Sequence, residues 1–469
     1  MAKLSDLINN NYSLSPSSYG ELYVGKTERI KLKFLLDREL DNRDKGYEIG
    51  NSAYVTNSSK FFMRAKALQR NSFIPILSGQ AVPAMNRKYF VDYHLQKDDI
   101  LISKDSNIGE CVVLSNDLPN YMPCGAIYRL PISKNRLYVF AMIKSDDFRM
   151  QLDKIVPKGA TIRHAGKKFL ECTIAFPKTN SIELIRNVES LVRKIVDLEQ
   201  VVQDKNAKIY QMIENELVGN CEHDECNFYN QVRFSDINKS NRLDASYYAP
   251  EAKWQKYKLM NYENGVKSLE DLGYVAKRGQ NLQISAIGKS LYSPQHIQGF
   301  YTVIKPSNFS DYGTVEAYEY LGNKNDLLTL EDGDIVFSAE GTVGKCILFV
   351  HTGDKWITNI HGIILRNKSV SIIESAYISC FLRFLADWGY YDHFTVGGQG
   401  GSLGKSYWNE IYIPNFPQQL KEEIATLYYN PSDTIQLNNY ERLGILQLAT
   451  KIGELKSDLN NIIKGITCN

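Results

Sequence analysis

The sequence has no apolar run approaching the roughly 20 residues that a membrane-spanning helix needs. Its opening stretch, MAKLSDLINNNYSLSPSS, lacks the apolar core of a secretory leader, so a cytoplasmic location with no membrane partner is expected. Cysteine is sparse, with 8 in 469 residues, and Cys111, Cys172 and Cys346 sit in strand-like patterns where a thiol acts as a small buried hydrophobe. Disulfides are not implied. Histidine is sparser still: His94, His164, His296, His351, His361 and His393 sit in no triad-like spacing and read as surface or core residues.

Three catalytic or metal motifs are approached and missed. CEHDEC offers Cys221, His223 and Cys226 but no second ligand pair to close a tetrahedron, so no metal is expected. VGGQGGSLGKS, from Val396 to Ser406, has Gln399 where a phosphate loop needs glycine, and it leads into the strand-like EIYIP instead of a helix. Asn430-Pro431-Ser432-Asp433 lacks the second proline and the aromatic of an adenine-methyltransferase pocket. No catalytic residue and no cofactor is therefore expected, although an autonomous enzyme with an unrecognised site stays open at this point.

What is present is a duplication. LQKDDILISKDSNIGEC, ending at Cys111, returns as LEDGDIVFSAEGTVGKC, ending at Cys346. Asp99/Asp334, Ile100/Ile335, Ser103/Ser338, Gly109/Gly344 and Cys111/Cys346 are identical at an offset of 235. After a slip to 237, Gly125/Gly362, Arg129/Arg366 and Pro177/Pro414 also match, and FFMRAKALQ from Phe61 parallels FYTVIKPSN from Phe300. So long a period does not suit a solenoid, and two domains of one fold suit it better. The repeated Asp before each apolar run reads as a turn residue opening a strand.

Each copy precedes a heptad pattern. Leu184, Val188, Leu191, Ile195, Leu198, Val202, Ile209 and Met212 follow a 4-3 spacing, with Lys205 as a break, and so do Ile445, Leu448, Ile452, Leu455, Leu459, Ile462 and Ile466. Asn430-Pro431 separates an earlier helix near 419–428 from the second pattern. Two such stripes in one chain are expected to pair antiparallel. Short β-branched segments bounded by Gly, Asp and Asn alternate with helices expected at 373–388 and, as its counterpart, 137–155. The fold class is α/β (α+β): two similar domains, at 1–180 and 220–417, separated by long helices at 181–219 and 418–469 that form an antiparallel coiled coil.

The overall charge of +2 conceals an asymmetry, because residues 1–180 hold 27 Lys+Arg against 18 Asp+Glu, a net of +9. Such a domain attracts phosphate. Candidate nucleic-acid contacts there are Lys60, Arg64, Lys66, Arg70, Arg87, Lys88, Arg163, Lys167 and Lys168, interleaved with Phe61, Phe62, Tyr89 and Phe90. In the second half they are Lys277, Arg278, Gln280, Asn281, Gln283, Lys289 and, from the glycine loop, Gln399, Ser402 and Lys405. Arg and Lys suit guanine edges and phosphates, and Asn and Gln suit adenine.

With duplication, heptads and missing catalytic motif together, the chain resembles the specificity (S) subunits of type I restriction-modification systems. The resemblance rests on the order domain, helix, domain, helix, and on GDIVFSAEGTVGKC, RLDASYY at Arg242 to Tyr248, and the glycine loop followed by IYIPNFPQQLKEEI. It implies two target recognition domains, each reading half of a split site in double-stranded DNA. It also implies helices that space them and dock DNA methyltransferase subunits, two in number, with a restriction/translocase subunit as a further partner in phage defence. A coiled-coil adaptor with two protein-binding domains is the rival reading, and steep salt-dependent DNA affinity separates the two.

Overall fold

The computed structural model describes residues 28–55, 58–105, 107–156, 166–178, 181–219, 232–351, 353, 355–395, 401–404, 408, 410–431 and 440–467. The chain divides into two compact units, Met1–Val201 with Thr450–Asn469, and Val202–Ala449.

The first unit contains β1 (Glu28–Lys31), β2 (Phe61–Met63), β3 (Ile100–Ser103), β4 (Cys111–Val113), β5 (Tyr121–Pro123), β6 (Ile127–Leu130) and β7 (Thr173–Phe176). Ile-Leu-Ile-Ser of β3 is buried at every position, as a strand covered on both faces requires. It lies between β4 and β6, antiparallel to both. β2 and β5 pair in parallel, and β1 pairs antiparallel with β7. The expected single helix over 137–155 is two, α1 (Arg136–Lys144) and α2 (Asp146–Ile155). Ser145 causes the break, because its hydroxyl accepts from Phe148 N–H to cap α2 while donating to the Met142 carbonyl that ends α1. α3 (Ser181–Gly219) follows and continues past the unit boundary.

The second unit contains α4 (Pro250–Met260), β8 (Val266–Ser268), β9 (Val275–Arg278), β10 (Leu291–Ser293), β11 (Tyr301–Ile304), β12 (Tyr318–Gly322), β13 (Ile335–Ser338), β14 (Cys346–Leu348), β15 (Trp356–Thr358), β16 (Gly362–Arg366), α5 (Ile372–Asp387), β17 (Tyr412–Pro414) and α6 (Gln418–Tyr428). α7 (Ile445–Thr467) begins here and ends in the first unit. The sheets contain the first unit's pairings, with β9, β10 and β12 added: β14-β13-β16-β9, β10-β12-β11-β15 and β17-β8. β13 is antiparallel to β14 and β16, β11 is parallel to β15, and β8 is antiparallel to β17.

The equivalence extends to single hydrogen bonds. Ser103 N–H donates to the Glu110 carbonyl and Ser338 N–H to that of Lys345, while Gly109 and Gly344 N–H donate to the carbonyls of Ser103 and Ser338. Gly109 and Gly344 have φ of 77° and 91°, a conformation glycine adopts without strain. Tyr138 donates its hydroxyl to the Ala175 carbonyl, and Tyr377 does so to that of Pro414. Each strand-opening Asp caps its own turn, accepting from Gln96 or Glu331 N–H, and each receives an arginine, Arg129 or Arg366.

The pairings correct three details of the sequence alignment. β6 and β16 keep the offset of 235, since Ile100 faces Leu130 as Ile335 faces Leu365, so Arg129 and Arg366 are not equivalent positions. They reach the corresponding aspartates, Asp99 and Asp334, from different rungs, which is why the identity misleads. Ala175, not Pro177, occupies the place of Pro414, because each accepts a tyrosine hydroxyl from the helix of its own unit, Tyr138 and Tyr377. Phe61, across from Tyr121, matches Thr302, across from Trp356, and not Phe300. The thiols of Cys111, Cys172 and Cys346 are buried, and desolvation pushes each up to about 12.

On α3, Val188, Ile195, Leu198, Val202 and Ile209 are buried, while Leu184, Leu191 and Met212 are half-buried. A further row, Val192, Glu199, Asn206 and Ile213, is buried at heptad spacing. On α7, Ile445, Leu448, Ile452, Leu459, Ile463 and Ile466 are buried, with Leu455 and Ile462 half-buried. α6 packs on α5, and its Tyr428 hydroxyl donates to the Gly313 carbonyl and accepts from Leu348 N–H.

Candidate nucleic-acid interface

In the first unit, the stretch 81–86 is bridged antiparallel to two segments, at Tyr54–Met85 and at Phe61–Ala84. Met85 N–H donates to the Lys60 carbonyl, and Arg64 N–H donates to that of Ala81. This brings Lys60, Arg64, Arg87 and Lys88 into one neighbourhood. Lys60 Nζ lies 4.2 Å from the Phe90 ring centre and donates to Asn120 at 2.9 Å. The Arg64 guanidinium lies 4.8 Å from the Tyr54 ring, and Arg87 donates to Ser59 Oγ at 2.9 Å. Phe61 stacks on Tyr121 at 5.2 Å. Rings, an amide and a hydroxyl orient these cations without neutralising them, so their charge remains available to an anion.

The other first-unit candidates are placed elsewhere or differently. Arg70 is paired with Asp146 at 2.8 Å. Lys167 donates to the Leu40 carbonyl, whereas Lys66 and Lys168 are exposed. Arg163 lies outside the described residues, as do Gln399, Lys405 and the CEHDEC cysteines and histidine.

In the second unit, the end of β9 meets the turn after β13 and the described part of the glycine loop. Gly341 N–H donates to the Gly401 carbonyl at 3.0 Å, Leu403 N–H donates to that of Ala339, and Glu340 bridges to Ser402. Arg278 Nη1 reaches Glu340 Oε1 at 3.0 Å and the Ile360 carbonyl at 2.9 Å. His361 Nδ1 stands 2.5 Å from Glu340 Oε2. The His361 hydrogen bond, and after it the Arg278 guanidinium, hold the Glu340 carboxyl below the usual carboxylate range.

Gln280 is committed internally, since its side-chain carbonyl accepts from Leu328 N–H and its amide donates to the Asn281 carbonyl. Asn281 accepts from Gln283 N–H, and Lys277, Gln283 and Lys289 are exposed. Sequence reasoning missed Glu340 and set His361 aside. A signal for Glu340 existed, because it stands where Asp105 stands in the first copy.

RLDASYY forms a strap in which Arg242 clamps Asp244 and donates to the Phe394 carbonyl, while Tyr248 donates to the Arg242 carbonyl. Among the described residues no group of three His, Cys, Asp or Glu is placed to hold a metal ion, and no helix is long and apolar enough to cross a membrane.

No protein-family profile and no curated protein matches the chain. Solved structures are similar to it at low identity, three of them as follows. The S subunit of a type I restriction-modification system from M. genitalium shares 13% identity, covering 95% of this chain and 96% of that one, with a TM-score of 0.37. A chain from a study of assembly and conformational transition of the type I R-M system shares 11%, covering 95% and 99%, with a TM-score of 0.28. The HsdS subunit of Thermoanaerobacter tengcongensis shares 10%, covering 94% and 95%, with a TM-score of 0.27.

Proposed function

We propose that this chain is the non-catalytic DNA-specificity subunit of a type I restriction-modification complex. Residues 1–180 and 220–417 act as target recognition domains, each reading one half of a bipartite site. The observation that carries this reading is the repetition itself: two units with the same strand pairings and the same Asp-capped turn. One chain that presents the same binding fold twice reads two short sequences with untouched DNA between them.

The spacing comes from α3 and α7. At 39 residues, α3 is about 58 Å long, or roughly 17 base pairs. As α3 advances from Glu199 to Lys205, its partners on the C-terminal chain fall from Lys456 to Glu441, the order of an antiparallel pair. Chemistry comes from DNA methyltransferase subunits docked on these helices, two per chain, and from a restriction/translocase subunit where one is present.

The test is duplex binding by the complex reconstituted with its methyltransferase subunits, titrated across salt. The reading expects affinity that falls steeply and linearly on a log-log salt plot. Salt-insensitive or absent binding supports the adaptor reading instead.

A further inference from the structure

The turn after β3 and the turn after β13 carry one acidic residue each at the same position. Ser103 Oγ donates to the Asp105 carbonyl and Ser338 Oγ to that of Glu340, so the two carboxylates leave equivalent backbone. Both are held by side chains around them: Asp105 by the Lys104 ammonium, and Glu340 by the Arg278 guanidinium and the His361 imidazole together. In the second unit this cluster borders the glycine loop through the Glu340–Ser402 bridge.

A guanidinium and an imidazole converging on one half-exposed carboxylate form an anion seat that is already filled. Arginine and imidazole donors suit a phosphate oxygen at least as well as a carboxylate, since a phosphodiester presents two acceptors to the same fork. The seated carboxylate also repels any phosphate that approaches without displacing it. Repulsive elements of this kind raise discrimination by penalising the wrong partner.

We propose that Glu340, with Asp105 as its counterpart, is an internal stand-in for a DNA phosphate. It occupies Arg278 and His361 until a correctly docked duplex displaces it, and so weakens binding to unrelated DNA. This rests on the DNA-reading assignment above, and it assigns Glu340 and His361 a part in specificity.

The experiment compares the wild-type reconstituted complex with its Glu340→Gln and Glu340→Ala forms. Two probes are used: a duplex of unrelated sequence and one bearing the site that the complex methylates. Freed from its carboxylate, the seat gains about one phosphate contact, so the log-log salt slope on unrelated duplex steepens by roughly 0.9 and affinity rises roughly three- to tenfold. The site-bearing duplex gains less, and discrimination falls. Asp105→Asn shifts both readouts in the same direction, and Arg278→Gln weakens binding.

Unchanged or weaker binding of both duplexes by the Glu340 variants, with the wild-type slope intact, overturns the stand-in role while the DNA-reading assignment stands. A wild-type complex with no salt-dependent binding overturns both.

Discussion

Glu199, buried on α3, receives the Lys456 ammonium of α7 at 2.6 Å. Its other carboxylate oxygen accepts from Phe73 N–H at 2.7 Å, Ile74 N–H at 3.1 Å and Ser72 Oγ at 3.3 Å. One acidic residue thus ties the two helices to a loop of the first unit. Replacing it leaves the buried Phe73 and Ile74 amides without their acceptor and the Lys456 ammonium with only the Asn71 carbonyl. Glu199→Ala is expected to lower stability by roughly 2–3 kcal/mol, read from denaturant midpoints; a loss within error removes the anchoring role.

In the second unit, Asn206, seven residues further along α3, accepts from the buried Arg383 at 2.8 Å. Asn206→Leu fills the space but offers no acceptor to a guanidinium that stays charged. A cost of about 1–3 kcal/mol is expected, whereas a neutral or stabilising outcome shows Arg383 to be satisfied without it.

The two strand-opening aspartates predict an asymmetry. Asp334 is 1% exposed and takes Arg366 through two bonds of 2.8 and 2.6 Å, whereas Asp99 is 19% exposed and meets Arg129 at 3.4 Å. Asp334→Asn is expected to cost about 3 kcal/mol and Asp99→Asn about 1 kcal/mol. Equal costs contradict the geometry.

Lys144 predicts a pH dependence. It donates to the Gln69 carbonyl at 2.7 Å, and burial lowers it from 10.5 to about 8. Because the folded state binds its proton less tightly than the unfolded state, stability relative to Lys144→Met rises with pH between about 8 and 10.5. The gain approaches roughly 3 kcal/mol at the upper end. Parallel stability curves for the two proteins across that window eliminate the effect.

These anchors mark where the sequence was legible. Asp99 and Asp334 were visible as turn residues because the capping bonds span only three residues. The heptad row of Val188, Ile195, Val202 and Ile209 was visible because apolar periodicity marks a buried stripe. The adjoining row was not, since Glu199 and Asn206 interrupt it with polar side chains whose partners lie far along the chain. The Glu340 cluster was hidden for the same reason, as Arg278 and His361 stand 62 and 21 residues away. The helix break at Ser145 was written in Ser-Asp-Asp, a capping sequence masked by the apolar spacing on either side.

The basic neighbourhood of the first unit carries a functional prediction. Lys60→Ala, Arg64→Ala and Arg87→Ala are each expected to weaken duplex binding by a similar factor on any sequence and to reduce the salt slope by about 1. Unaltered slopes place the duplex elsewhere on the unit.

The spacer role is tested by length. Inserting one heptad after Val202 adds about 10 Å, or roughly 3 base pairs. The preferred gap between half-sites then lengthens accordingly, and an unchanged gap rules the role out.

The most direct measurement is base-resolution mapping of DNA methylation in cells with and without this chain. A two-part motif with a fixed gap, methylated only when the chain is present, is the predicted result. The same methylation without the chain, or dependence of a single uninterrupted motif on it, contradicts the account.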